Sequence, residues 1–533
     1  MSPPRRRAIR ERAARRGVRR STTPVAAISP LPSLVAACAA LLLLVPCAAA
    51  EPQRSAEPGG TPGSAGLGDA LFPTSGNGGY TVRHTTLDLA WQAPRTPFPA
   101  VATIDAVADK ALSRFNLDFA GHTLGRVLLD EQPVEAVREG DELVVTPEHA
   151  LYRGDDFRVR VEYTADPTLT RHRDDAIEDY GWIPTADGTV VYPQPNGTQL
   201  LFPSNDHPSV RAPITVSISA PDDVQAVAAG ELTAREPDGP GRTRWTYDSP
   251  TPVAGQLVQF AVGKYETLTG EGPGGVRLRD VVPPDLVAAT GAYRALTPGH
   301  LRWLSERLGP YPFDTYGVLV APTDLPVALE TQTLSLIPAA DLTGDQVTAE
   351  RNMVHELAHH WFGDSVALPK WSDLWLSEGH ARFYERLYSE EHGGDRFVDR
   401  MHDAYRQHDL WRRDFGPPAA PTEPALFKRM RYDGSALVLY ALREEVGAQV
   451  FGAIERAWLA WFRGRTASTL DYIDLASATA GRDLAPFLNA WLYDPTTPPM
   501  PNHPDWATDP LPPAGAGPAT RAAAPLPVDP AGS

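Results

Sequence analysis

The feature that most constrains this 533-residue chain is His355-Glu356-Leu357-Ala358-His359, followed by Glu378 in a second helix-period stretch. Residues four apart share one face of a helix, one turn from each other. Two imidazoles so spaced converge on a single Zn2+, while Glu356 faces the same cleft without ligating. Val354, Leu357, Ala358, Trp361 and Phe362 form the opposite, apolar side and need a core to seat it. A catalytic zinc takes three protein ligands and leaves a fourth position open. The pattern HxxGxxH would supply a third histidine, but Phe362 and Ser365 occupy its glycine and histidine positions. Glu378, within Trp375-Leu376-Ser377-Glu378-Gly379-His380-Ala381, is the candidate third ligand, brought alongside by a loop from Gly363 to Ser372. His355, His359 and Glu378 make a catalytic donor set, since structural zinc sites close with four Cys or His ligands. Asp373 either orients a ligand or caps the Glu378 helix.

The N-terminus reads as an export signal. Nine arginines between Arg5 and Arg20 precede an apolar run from Leu31 to Val45 and a small-residue stretch at Ala48-Ala49-Ala50. The run is shorter than the roughly 20 residues that span a bilayer, so no transmembrane span is expected in the mature chain. Both cysteines, Cys38 and Cys47, lie inside this segment, which leaves the mature protein without a disulfide. Leu44-Val45-Pro46-Cys47 loosely matches a lipoprotein box and offers Cys47 as an alternative lipid anchor. The expected location is therefore secreted or extracytoplasmic. Loss of residues 1–50 removes nine arginines and Glu11, taking the net charge from −17 to −25. So acidic a surface argues against nucleic acid and anionic membranes as partners, and its plain reading is solubility.

The textures along the chain divide it into an export segment at 1–50, a Gly/Pro-rich linker at 51–78, a β domain at 79–265, a mostly helical zinc domain at 266–505 and a disordered tail at 506–533. Period-two alternation in YTVRHTTLDLAW, FRVRVEYTADP and PITVSISAP predicts an antiparallel sheet. Helical periodicity follows in PGHLRWLSERLG, TAERNMVHELAHHWFGDSV, DLWLSEGHARFYERLYSEEHG, SALVLYALREEVG and VFGAIERAWLAWFRG, with short strands at TYGVLVAP and TQTLSLIP. The fold class is multi-domain α+β.

HExxH, eighteen residues and then Glu within WLxEGxA resembles the gluzincin aminopeptidases, the family of aminopeptidase N and the leukotriene-hydrolase-like enzymes. Leu308-Gly309-Pro310-Tyr311-Pro312-Phe313 resembles the opening of their catalytic domain, and Phe202-Pro203-Ser204-Asn205-Asp206-His207-Pro208 a signature of their β domain. The resemblance spans about Tyr80 to Trp506 and implies a thermolysin-like catalytic domain with one zinc. It also implies a short form without the C-terminal helical domain of many relatives.

The resemblance further implies Glu356 as the general base. Tyr432, in Arg431-Tyr432-Asp433-Gly434-Ser435-Ala436-Leu437, becomes the donor to the oxyanion. Glu330, in Val327-Ala328-Leu329-Glu330-Thr331, becomes the anchor for the substrate α-amine. Ala328 would belong to the backbone that grips the peptide, although Val327 and Thr331 replace the motif's usual glycine and asparagine. Gln194 is the polar candidate that the β domain lends to the amine pocket. The implied activity is removal of N-terminal residues from peptides with a free N-terminus. An endopeptidase on the same zinc and a non-catalytic peptide-binding relative are the rivals. His360 and His380 are read as structural.

Overall fold

The structure, a computed structural model, describes residues 59–172, 179–323, 325, 327–422 and 426–512. The expected export segment, the start of the linker and the tail beyond residue 512 lie outside the described residues.

The long strands follow from alternation. In Phe98–Ala108 every second side chain, from Phe98 to Ala108, is buried. It is flanked antiparallel by Tyr80–Ala90 and Asp156–Ala165, with Val101 opposite both Asp88 and Glu162. An eight-stranded sheet grows outwards from these three strands. The sheet is not purely antiparallel: Tyr80–Ala90 runs parallel to Arg211–Pro221. A smaller five-stranded sheet includes Thr189–Tyr192, paired with Asp179–Pro184 and Phe260–Gly263, and delivers the chain directly to Gln194.

The catalytic half opens with a sheet of Glu266–Glu271, Arg277–Val282, Val318–Ala321 and Ser335–Pro338. Its helices are α1 (Val287–Arg294), α2 (Thr297–Leu308), α3 (Gln346–His359), α4 (Trp375–Glu391), α5 (Phe397–Phe415), α6 (Ser435–Val446), α7 (Ala448–Phe462), α8 (Thr469–Ala480) and α9 (Ala485–Tyr493). Helices α1, α5, α8 and α9 were not among the periodic segments read from sequence. The α5 stretch carries eight charged residues among its nineteen, which masks its apolar stripe of Phe397, Met401, Ala404, Tyr405, His408 and Trp411. Helix α3 begins at Asp345, whose carboxylate accepts the Thr348 N–H, and stops at His359 rather than running on to Phe362.

Two boundaries need correction. The described part of the expected linker is not loose: Thr61–Pro62 pairs with Leu112–Asp118, and Ser64–Ala65 pairs with Asn77–Gly78. Asp69, Leu71, Ser75 and Asn77 are buried there. The glycines serve close packing rather than flexibility. Gly76 sits at φ 75°, and a Cβ on it would lie 2.7 Å from the His207 Cβ. Asp69 accepts from the Trp371 N–H at 2.7 Å, tying this strap to the turn that launches α4. The start of the expected disordered tail is also packed. Trp506 stacks on Tyr440 and His503, and Asp509 pairs with Arg406.

The described residues fall in one compact unit. The change of texture near residue 265 is bridged by hydrogen bonds from Gln332 N–H to the Leu257 carbonyl and from Gly230 N–H to Thr333 Oγ1. Among the described residues no helix is long and apolar enough to cross a membrane.

Candidate active site

Helix α3 places His355 and His359 one turn apart, and α4 packs against it with Glu378 in its first turn. The two Nε2 atoms are 3.2 Å apart, and Glu378 Oε2 lies 3.3 Å from one and 3.4 Å from the other. The far side of each ring settles its tautomer. His355 Nδ1 lies 3.0 Å from Glu385 Oε2, and His359 Nδ1 lies 3.2 Å from the Phe362 carbonyl. Both partners only accept, so each Nδ1 carries the proton and each Nε2 turns a lone pair inwards. Glu378 Oε2 has no hydrogen-bond partner. Three lone-pair atoms facing one another in a buried space need a cation, and two imidazoles with a carboxylate suit zinc. The residues therefore fit the metal that the spacing implied.

Without a metal, protons on the imidazoles take its place. Burial by itself would depress the His359 pKa, yet the carboxylates of Glu330 and Glu378 raise it to about 10. The Glu378 carboxyl resists its own burial and is held down at about 2, chiefly by His359 and His355. Burial drives Glu356 up to about 8 against the pull of the two histidines.

The remaining predicted residues converge here. Glu330, Glu356 and His359 present atoms within 4.8 Å of one another. Glu330 sits beside Leu329, which pairs with Leu336 in both directions, so a short bridge aims the side chain inwards. Gln194 crosses from the β half and donates Nε2–H to Glu330 Oε1 at 2.7 Å, with both residues buried. The Ala328 carbonyl accepts from the Tyr192 hydroxyl at 3.4 Å. Tyr432 is buried in a π-helical turn, Met430–Gly434, that leads into α6. Its ring centroid lies 6.2 Å from that of His355.

His360 and His380 face elsewhere. His360 bonds the Tyr311 hydroxyl at 2.7 Å, and His380 Nε2 lies 3.1 Å from Glu455. Asp373 takes neither of its expected roles. Its carboxylate accepts from the backbone N–H and hydroxyl of Thr469, and so holds the start of α8.

Sequence reading missed the groups behind the ligands. Ser377 donates to the Phe362 carbonyl and lies 2.9 Å from His359 Nδ1. Glu385 takes His355 on one oxygen and Arg351 and Arg382 on the other, at 3.0 and 2.8 Å. Glu385 follows Glu378 by two helical turns on the same face, a spacing that could have flagged it.

The Peptidase family M1 domain matches residues 296–491. Leucine aminopeptidase 2 of Eremothecium gossypii is 27% identical over 420 residues, covering 74% of this chain and 64% of that protein. Human endoplasmic reticulum aminopeptidase 1 is 25% identical over 277 residues, 48% of this chain and 29% of that protein. The chain thus spans less than two thirds of the length of these curated relatives. An M1 zinc metallopeptidase from Deinococcus radiodurans superposes with a TM-score of 0.73 at 33% identity, covering 82% of this chain and 99% of that one. A two-domain M1 zinc metallopeptidase mutant bound to L-arginine gives 0.74 at 32% identity, with the same two coverages.

Proposed function

This chain belongs to the M1 family of zinc metallopeptidases, and on that premise we propose that it is an aminopeptidase, hydrolysing the first peptide bond of peptides with a free N-terminus. His355, His359 and Glu378 would hold the zinc, which when bound supplies a Lewis acid for the scissile carbonyl and acidifies the attacking water. Glu356 is the general base: its buried carboxylate, next to His355, takes a proton and hands it to the departing amine. Burial holds the Tyr432 phenol far above its ordinary pKa, so it stays protonated and donates to the carbonyl oxygen as negative charge develops there. Glu330 accepts the α-ammonium of the substrate, oriented by Gln194.

The observation that carries the aminopeptidase reading is the buried Glu330 carboxylate, pinned at 2.7 Å by Gln194 and sharing the space of Glu356 and His359. An ammonium bound there sets the scissile bond one residue from the N-terminus. Solved relatives bound to L-arginine, L-tryptophan and a Tyr-Ser-Ala substrate support recognition through the amine rather than one side chain. A panel of fluorogenic amino-acyl amides, with and without chelator, tests the proposal. Metal-dependent release is expected. Cleavage of N-acetylated peptides at internal bonds with equal efficiency would identify an endopeptidase instead.

The arginine-rich head and the apolar run from Leu31 to Val45 support export of the protein. Mass spectrometry of the mature N-terminus separates cleavage after Ala50 from lipidation at Cys47.

A further inference from the structure

Arg382 follows Glu378 by one turn of α4 and is buried, 8% exposed. Its Nη1 donates to Glu385 Oε1 at 2.8 Å, while the other oxygen of Glu385 takes the His355 Nδ1 proton. Its Cζ lies 5.4 Å from the centroid of the Tyr432 ring, and its Nε lies 3.8 Å from Asp433 Oδ1. One guanidinium therefore touches both the group that orients a metal ligand and the ring that bears the oxyanion donor.

Its two contacts differ in redundancy. Glu385 has further cationic neighbours, with Arg351 Nε at 3.0 Å and Arg386 Nε at 3.9 Å. Asp433 has Arg386 Nη2 at 3.4 Å. Among the described residues, Arg382 is the cation that lies over the Tyr432 ring. Tyr432 stands in a π-helical turn, a local departure from the α-helix of a kind frequent at functional sites. A planar guanidinium braced by Glu385 and Asp433 provides a fixed plate for the ring.

We propose that Arg382 is a positioning residue that registers the Tyr432 hydroxyl against the metal site, using the Glu385–His355 pair as its fixed reference. The inference rests on Tyr432 acting as the oxyanion donor. Arg382 itself touches neither substrate nor metal.

The test is a double-mutant cycle of Arg382→Gln with Tyr432→Phe in the full-length, zinc-loaded protein. kcat and KM for an amino-acyl 4-nitroanilide are measured separately, together with the rate of zinc loss to a chromogenic chelator. Arg382→Gln is expected to lower kcat about 10-fold, the scale of a desolvated cation–π contact, with KM within about twofold. Zinc loss should stay at the parent rate, because Arg351 and Arg386 still hold Glu385. Arg382→Lys, which keeps the charge but not the plate, should recover part of kcat. In the Tyr432→Phe background the Arg382 changes should cost almost nothing more.

Effects that multiply in the double variant would overturn the inference, as would faster zinc loss that accounts for the whole drop in kcat. If Arg382→Gln does not fold, Arg382→Lys carries the cycle with the same two outcomes. Tyr432→Phe with unchanged kcat brings down the tyrosine's role itself. A crippled Tyr432→Phe beside fully active Arg382 variants brings down the positioning role alone.

Discussion

Two clusters of buried carboxylates stand in this molecule, one in each half, and they are neutralised in opposite ways. In the β half, Asp118 and Asp206 are fully buried beside Glu142. Asp118 accepts from the Gly76 N–H, the Asn77 amide and the Asp206 N–H. Among the described residues no arginine or lysine pairs with these three. Burial raises the Glu142 pKa to about 7 and that of Asp206 to about 6, and pushes Asp118 well up, with Asp206 and Glu142 adding to it. In the catalytic half, Glu378 and Glu385 are equally buried and Asp433 is half-buried, but histidines and arginines override desolvation and hold all three below their ordinary values. The first cluster is met by backbone N–H groups, an amide and a raised affinity for protons, with one oxygen each of Asp206 and Glu142 left without a hydrogen bond. The second is met by histidines and arginines, two of those histidines being the candidate metal ligands. Burial of acids therefore does not mark a site. Imported cations, and lone pairs from several residues that converge on one point, do.

Each side of that contrast can be broken. Chelation should abolish hydrolysis, with zinc restoring it, and should also lower the thermal midpoint, since the Glu330, Glu356 and Glu378 charges then lose their cation. A midpoint indifferent to zinc would mean that the second cluster is self-neutralised after all. Glu356→Gln should reduce kcat by about 10²–10⁴-fold, the range for losing a general base, while zinc content measured by atomic absorption stays at one per chain. Glu330→Ala should cut kcat/KM on free-amine substrates by about 10²-fold, the scale of losing a buried charge pair, and should leave the residual cleavage of N-blocked peptides little changed. Asp69→Ala strands the Leu71 and Trp371 N–H groups and should cost about 1–3 kcal/mol in denaturant unfolding.

The smallest effect sharpens the first cluster. Glu142 keeps its proton in the folded chain to about pH 7 but loses it near ordinary carboxylate values when unfolded. Folding therefore takes up a proton between those limits. Its stabilising contribution is complete below the ordinary value and is lost as pH rises towards 7. Glu142→Gln should flatten the fall in thermal midpoint between pH 5 and pH 7.5. An unchanged slope would remove Glu142 from the account.

Legibility followed the range of the interaction. The i, i+4 pair of His355 and His359 is local, so helix geometry alone placed both rings, and period-two burial made strands such as Phe98–Ala108 readable. The meeting of Gln194 with Glu330 joins residues 136 positions apart and was reached only through family resemblance. The strap at 59–78 was misread because glycine and proline content reports backbone freedom in isolation. Here those turns are held by burial and by Asp69, whose carboxylate reaches Trp371 in the other half. Asp373 was misjudged for a similar reason: its partner, Thr469, lies 96 residues away.

What the sequence determined by itself is the metal-binding pattern: two histidines one turn apart, a glutamate on the next helix, and a carboxylate beside the first histidine. Side-chain type and helical period are enough for that, because each acts over one or two turns. Only the tertiary structure decided which acids carry charge. It set Glu385 behind His355, laid Arg382 across to Tyr432, and left Asp118 among amides and other carboxyls. A carboxylate's state depends on the solvent it loses and the cations it meets, and both are set by chain segments that only folding brings together.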